Sequence, residues 1–324
     1  MNLQSWNRFN SHALQVAPNV MGQLHSFTFE GAKVEIALPS AERAKDETPG
    51  RDSIAEVGTR WASTKEPINY RIFKVDVVAC LECSFELPSE VLDVNPNAYE
   101  IVAEDTQEKL KSSLADHGAI ARRAFQNWLT LIQWVTGDHR IGRGRYSTGS
   151  PEWSTHLQEM SSGKTVWIAD LAFSVPSYRT VTIEQWSEVN AKLQVQAATP
   201  IHLVLKFEAE HFFDLGDYRR SLMDTAIACE TYLRTTVLAT LPTELTPSVR
   251  KQIEDASISQ YANHFFPEIL DDAAKEKYKK LKEELKSLNS KRNDLFHRGD
   301  SSAATADNCR RFLDRLNDLF ALNS

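Results

Sequence analysis

Three side chains near the end of a long polar helical pattern have the types and spacing needed for phosphodiester chemistry. They are Arg292, Asn293 and His297, within the segment SLNSKRNDLFHRGD. Asn293 and His297 are four residues apart and share one helix face, and the long side chain of Arg292 can reach the same surface. Histidine can accept the proton of a ribose 2′-hydroxyl or protonate the leaving oxygen, arginine can stabilise charge on phosphorus, and asparagine can orient either group. This chemistry needs no cofactor and no metal, and the segment has no cluster of carboxylates to hold one.

Arg292 stands where the helical pattern requires an apolar side chain. Leucines recur before and after it at three- and four-residue intervals and at the same phase: Leu281, Leu285, Leu288 and Leu295. At about 100° per residue, Arg292 falls in the middle of this apolar stripe. A charge in that place must be paired, lie at an interface or take part in function.

The charge around this segment is locally basic although the protein is acidic. The whole chain has a net charge of −7, which argues against general coating of nucleic acid. Residues 275–298 contain nine basic and four acidic side chains, a local net charge of +5 that suits selective contact with a phosphate chain. Lys291 is therefore a candidate RNA contact. A solvated helix face with ion pairs four residues apart would explain the same charges.

A glycine-containing basic loop, GDHRIGRGR, offers further candidates for phosphate contact. They are Arg140, Arg143 and Arg145. The loop lacks the lysine and the spacing of a P-loop, so a flexible surface loop explains it equally well.

The first part of the chain, residues 1–198, has the patterns of a mixed, β-rich domain. Alternating apolar residues predict strands, including a hairpin around Gly31, and periods of three and four residues predict two helices. The strands fall within 25–39, 68–88 and 164–175, and the helices within 119–136 and 182–195. Thr182 and Gln185 predict a capping box, and the polar stretch 39–58 predicts a mobile loop.

The second part, residues 199–324, has the pattern of an all-helical bundle, so the predicted fold class is α+β. Five helices are expected within 202–216, 217–241, 247–266, 271–298 and 305–322. Asp217 is a candidate N-cap and Gly299 a candidate C-cap.

Composition predicts a cytoplasmic protein that does not enter a membrane. No run of 18 apolar residues is present, and the N-terminus MNLQSWNRFNSH lacks the apolar core of a signal peptide. The four cysteines are too sparse for a disulfide framework.

The order arginine, polar residue, short spacer, histidine resembles the signature of HEPN domains, here Arg292-Asn293-x-x-x-His297. The motif ends a late helix of an all-helical unit, as in that family. The stretch 200–233 has an acidic-containing helix, a Gly-Asp break and an Ala/Glu-rich helix, and it looks like the first two helices of the ApeA-like branch. The resemblance covers residues 199–324.

The resemblance implies a metal-independent endoribonuclease in which the helical domains of a homodimer form one composite cleft. Attack by the 2′-hydroxyl would leave a cyclic phosphate. Arg292, Asn293 and His297 would be catalytic, with Glu230 and Arg298 in supporting positions. The family also implies RNA as substrate, with transfer RNA as a frequent target class, a role in antiphage defence or as a toxin, and a phage-derived or antitoxin regulator.

Two other functions remain open from the sequence. One is a non-catalytic HEPN module that binds nucleotides, nucleic acid or a protein partner. The other is a structural dimerisation unit in which Arg292 pairs with Glu230. A close Arg292–Glu230 pair with His297 buried away from any cleft would favour the structural unit, whereas Arg292 and His297 from two chains meeting in an open basic groove would favour cleavage. The architecture alone indicates that the N-terminal domain senses a trigger or positions the substrate.

Overall fold

The computed structural model describes residues 2–42, 55–58, 69–82, 104–143, 155–158, 165–169 and 179–323. The chain divides into two compact units, residues 1–198 and residues 199–324. The first is mixed and β-rich and the second is helical, which confirms the predicted α+β class. Within the described ranges, no helix combines the length and apolar character needed to cross a membrane.

The first unit contains eight described strands and two long helices. The strands are β1 Asn2–Val16, β2 Leu24–Phe29, β3 Ala32–Ala37, β4 Ala55–Gly58, β5 Asn69–Glu82, β6 Thr155–Gln158, β7 Thr165–Ala169 and β8 Thr180–Val181. The helices are α1 Glu104–Thr136 and α2 Ile183–Gln194.

The main sheet is organised around β5, the long strand in the middle of the order β2-β3-β5-β1-β8. One edge of β5 pairs with β1, and the other edge pairs with β3 and, further along, with β4. These pairings are antiparallel, whereas β8 lies parallel to β1. A separate antiparallel pair is formed by β6 and β7.

Several local predictions for this unit are confirmed. The hairpin around Gly31 is β2–β3, and Gly31 has a φ of 80°, a backbone conformation that suits glycine. The predicted strand or strands in 68–88 are one strand through Glu82, and the rest of that stretch lies outside the described residues. Thr182 and Gln185 form the expected capping box at the start of α2.

Other features of the first unit differ from the prediction. β1 was not predicted, and α1 begins 15 residues before the expected start at residue 119. The prediction of a loop over 39–58 was wrong at residues 55–58, which form β4, while residues 43–54 lie outside the described ranges. β4 pairs with β5, and β1 pairs with β5 and β8, so both strands depend on distant segments that their own sequences do not reveal.

The core of this unit lies between the sheet and the helices. α1 packs on β1, β3 and β5, and α2 packs on β2 and α1. The side chains of His25, Trp128 and Trp186 join β2, α1 and α2 inside this core. Trp128 Nε1 donates to His25 Nδ1 at 2.9 Å, and the imidazole of His25 stacks on the ring of Trp186.

The second unit consists of helices packed around one apolar core. They are α3 Ile201–Asp214, α4 Tyr218–Thr240, α5 Pro247–Glu254, α6 at 258–268, α7 Asp272–Arg298 and α8 Ala306–Phe320. α4 contacts each of the others, and α7 and α8 pack on each other.

The helix ends that were predicted from capping residues are confirmed. The side chain of Asp217 accepts a hydrogen bond from the backbone N–H of Arg220 and caps α4. Gly299 ends α7 with a φ of 68°, the left-handed conformation that favours glycine at this position.

The prediction of one helix over 247–266 was wrong, because the chain forms α5 and α6 with a break at residues 255–257. Ser257 caps α6 through a capping box with Gln260. The middle of α6, Tyr261–Phe265, is a π turn in which the N–H of Phe266 donates to the carbonyl of Tyr261. Pro267 follows directly and has no N–H to donate, which disturbs the regular hydrogen-bond ladder at this point.

Candidate functional site

Arg292 lies where α7 leaves the core of the helical unit. The leucines of the apolar stripe on both sides are buried: Leu281, Leu285, Leu288 and Leu295. The Arg292 side chain is only 26% exposed, so most of it is covered by the bundle. From residue 296 to residue 300 the helix end is exposed. Arg292 therefore occupies the boundary between the buried and the open parts of α7.

Glu230 on α4 is the anionic partner of Arg292. Its Oε2 lies 3.3 Å from Arg292 Nη2, and its own side chain is 29% exposed. The other nitrogen, Arg292 Nη1, donates to Asn293 Oδ1 at 2.9 Å. The guanidinium is thus held from two sides, by a carboxylate across the helix interface and by an amide on its own helix.

A second arginine, Arg234, shares the carboxylate of Glu230. Arg234 Nη2 lies 3.5 Å from Glu230 Oε1, and the same side chain donates to the carbonyls of Glu254 and Ala256 at the junction of α5 and α6. Two guanidiniums therefore flank one carboxylate, which leaves the cluster with a surplus positive charge. Arg234 was not among the residues predicted from the sequence, although its spacing of four residues from Glu230 could have indicated the contact.

His297 lies in the exposed end of α7, one helical turn after Asn293. Its ring meets the ring of Phe296 edge to face, with centroids 5.0 Å apart. Phe296 is 67% exposed. The open end of α7 thus presents an imidazole beside an exposed aromatic ring.

The remaining charged candidates on α7 surround this end. Arg298 is exposed and pairs with Asp294 at 3.1 Å. Lys291 is half-buried, next to Arg292 in the chain. Both side chains add positive charge near Asn293 and His297.

The arginines predicted in the first unit have a different environment. Arg140 forms a bidentate ion pair with the buried carboxylate of Asp138, at 2.8 and 2.9 Å. The backbone N–H of Arg179 also donates to Asp138, and these contacts hold the pKa of that carboxyl below its usual value against the opposing effect of burial. Arg143 is half-buried, and Arg145 lies outside the described residues.

The arrangement combines features of two alternatives. The close Arg292–Glu230 pair is the contact expected of a structural unit, but His297 is exposed instead of buried. The Arg292 side chain keeps some exposure beside Glu230, and His297 lies outside the core. The geometry can therefore support anion binding beside an accessible imidazole.

Comparison with known proteins finds no similar protein. No protein-family model, no curated protein and no solved structure matches the chain. Its functional interpretation therefore depends on the side chains of the site.

Proposed function

We propose that the protein is a metal-independent endoribonuclease of the HEPN type. The observation that carries the proposal is the position of Arg292 at the boundary between the buried and the open parts of α7. Glu230 and Asn293 hold its guanidinium, and the exposed His297 lies one helical turn after Asn293. A positioned guanidinium beside an accessible imidazole matches the needs of RNA cleavage by the 2′-hydroxyl.

In the proposed reaction, His297 accepts the proton of the ribose 2′-hydroxyl. The 2′-oxygen then forms a bond to phosphorus, and the bond from phosphorus to the 5′-oxygen breaks. Protonated histidine supplies a proton to that leaving oxygen, so the products are a 2′,3′-cyclic phosphate and a free 5′-hydroxyl. Arg292 stabilises the extra negative charge on the phosphoryl oxygens, and Asn293 holds the guanidinium in place.

Two copies of the helical unit would supply the full set of groups. In a homodimer, one His297 can act as base while the partner subunit's His297 acts as acid. Arg298 and Lys291 would attract the RNA backbone to this cleft. We assign the N-terminal unit to trigger sensing or substrate positioning, in a cytoplasmic protein of antiphage defence or toxin type.

The test is incubation of the full-length protein with total transfer RNA in EDTA. Wild type should cut the RNA and leave ends that resist phosphatase until acid opens the cyclic phosphate. His297→Ala should slow cleavage by about 10²–10⁴-fold and Arg292→Ala by about 10²–10³-fold, the range for loss of an acid–base group and of a charge-stabilising donor.

The matched controls are His264→Ala and Arg219→Ala, which remove the same side chains from exposed positions outside the cluster. Both should cleave like wild type. Cleavage that survives unchanged in the His297 and Arg292 variants would contradict the proposal, as would a wild-type protein that cuts no RNA.

The Arg292–Glu230 pair favours a second candidate function, a non-catalytic module that binds a partner or holds a dimer. In that case the pair stabilises the bundle, and Glu230→Gln should alter the oligomeric state. Sedimentation of wild type and Glu230→Gln, together with the cleavage assay, separates the two functions. Active wild type with an unchanged dimer in Glu230→Gln favours the ribonuclease.

A further inference from the structure

A pocket opens between α4, α6 and α7 in the helical unit. Its volume is about 100 Å³. Residues that line it include Ala226, Cys229, Ala262, Asn263, Lys286 and Asn289. The inner wall is apolar, and the polar side chains come from the half-buried and exposed positions at the mouth.

The inner wall carries no charge at neutral pH. Burial raises the pKa of the Cys229 thiol to about 12, so this side chain remains a neutral thiol. Its neighbours Leu285 and Leu288 are buried hydrocarbons. A flat apolar ring is the kind of group that such a wall can cover without leaving a polar atom unsatisfied.

The π turn of α6 forms one side of the pocket and is stabilised in an unusual way. Pro267 cannot donate a hydrogen bond to the carbonyl of Ala262, five residues earlier, and the hydroxyl of Tyr278 donates to that carbonyl instead, at 2.9 Å. The side chain of Tyr278 is buried, so the contact is fixed by the core. π turns inside helices occur frequently at functional sites, and this one places Ala262 and Asn263 on the pocket wall.

The pocket adjoins the cluster of Arg292 and Glu230 along the same two helices. Asn289 precedes Asn293 by four residues on α7, and Ala226 precedes Glu230 by four residues on α4. One helical turn, about 5.4 Å, therefore separates the pocket wall from the charged cluster on each helix. A single nucleotide can span this distance, with its base in the pocket and its phosphate at the charged cluster.

We propose that this pocket binds one pyrimidine base of an RNA chain whose phosphate contacts Arg292. The proposal rests on the proposed ribonuclease function and names the base preference of the same site. An enclosed apolar cavity of about 150 Å³ holds one benzene ring, so an open pocket of about 100 Å³ can take up one six-membered ring with its polar edge at the mouth. The fused rings of a purine need more space than this pocket offers.

The polar mouth can read the edge of the bound base. The amide nitrogen of Asn263 donates to Ser259, so the amide oxygen is the group that can accept a hydrogen bond from a ligand. Asn289 lies on the opposite wall and is half-buried. Lys286 at the mouth is exposed and can contact a phosphate oxygen of the same chain.

The experiment measures binding of the four nucleoside 3′-monophosphates to the full-length protein by calorimetry. The two pyrimidine nucleotides should bind about tenfold or more tightly than the two purine nucleotides. Ala226→Leu fills the pocket and should weaken pyrimidine binding by about tenfold or more, whereas Ala239→Leu, at an exposed position of the same helix, should not. Arg292→Ala should weaken all four nucleotides by a similar factor, because it removes a phosphate contact.

Asn263→Ala is a second variant, for use if the Ala226→Leu protein does not fold. It removes a half-buried amide at the mouth and should weaken binding of the preferred pyrimidine nucleotide while the protein stays folded. Equal binding of the four nucleotides, absence of binding, or unchanged binding in both pocket variants would overturn the proposal.

Cleavage maps separate this proposal from the ribonuclease itself. If wild type cuts RNA beside pyrimidines and Ala226→Leu loses or redistributes these cuts, the result supports both the pyrimidine pocket and the ribonuclease function. RNA cleavage with no base preference keeps the ribonuclease and overturns the pocket. Pyrimidine binding without RNA cleavage keeps the pocket as a nucleotide site and overturns the ribonuclease.

Discussion

Acid should destabilise the N-terminal unit through one histidine in its core. His25 is 1% exposed, and its two ring nitrogens both have partners. Nδ1 accepts from Trp128 Nε1 at 2.9 Å, so Nε2 carries the proton and donates to the backbone oxygen of Trp186 at 3.1 Å. A second proton would go to Nδ1, where it would face the N–H of Trp128. The fold therefore favours the neutral imidazole.

The size of the effect follows from the pKa of His25. Burial lowers this pKa from 6.5 to about 4, and the hydrogen bond to Trp186 opposes the shift only in part. Between these values the unfolded chain binds the proton and the folded chain does not, so stability rises with pH. At 1.36 kcal/mol per pKa unit, the folded unit should lose about 3 kcal/mol through this group as the pH falls from 7 to 4.

Tryptophan fluorescence can follow this unit selectively, because all seven tryptophans lie in residues 1–198. Urea unfolding of wild type and His25→Phe would be measured across this pH range. The variant should be less stable at pH 7, since Trp128 loses its acceptor, but its stability should fall less steeply with acid. The difference between the two proteins should shrink by about 3 kcal/mol.

The exposed histidine variant His264→Ala is the control and should keep the wild-type dependence on pH. Parallel curves for wild type and His25→Phe would refute the reasoning. So would an NMR titration in which the His25 ring protonates near its ordinary pKa.

Two further predictions concern helix geometry and the charged cluster. Gly299→Ala should destabilise the helical unit by about 1–2 kcal/mol, because the left-handed backbone at that C-cap disfavours a β-carbon. Gly118→Ala inside α1 is the contrasting change and should stabilise by about 0.5–1 kcal/mol, since the added carbon meets nothing closer than 3.9 Å; urea unfolding followed by circular dichroism and by fluorescence checks both. A double-mutant cycle with Arg292→Ala and Glu230→Ala should give a coupling below about 1 kcal/mol, as for other part-exposed pairs. A coupling of several kcal/mol would contradict the expectation that the Arg292–Glu230 pair is weak. Equal effects of alanine at Gly299 and at Gly118 would contradict the expectation that the left-handed backbone at Gly299 disfavours a β-carbon.

The sequence predicted those features that short segments determine by themselves. The turn at Gly31, the cap at Asp217 and the helix end at Gly299 depend on residues within a few positions of each other. β1 and β4 depend on pairing with β5 and were missed for that reason. The break between α5 and α6 was also not predicted, because the capping box at Ser257 lies inside a stretch with continuous helical periodicity.

The candidate site shows the same division. Arg292 was identified from its place in the leucine stripe, and Glu230 was named as its partner only through a loose family resemblance. Arg234 and the pocket were not predicted. The pocket depends on how the π turn of α6 packs against α4 and α7, and the sequence of any one helix does not contain that geometry. Arg234 lies four residues from Glu230 on α4, so the sequence could have indicated that pair, whereas its contacts with Glu254 and Ala256 depend on the fold.

The energetics of position 292 favour a functional reason for the arginine over a structural one. A part-exposed ion pair contributes less than about 1 kcal/mol, whereas a leucine that buries its side chain contributes about 1.5–3 kcal/mol. The neighbouring positions of the stripe are all leucines, so the bundle could have continued its core through this turn. The chain instead holds a guanidinium there, supports it with Glu230 and Asn293, and leaves His297 exposed five residues further on. Where a sequence departs from the pattern that its own fold favours, the departure points to function. At position 292 we propose that this function is the binding of an anion next to His297.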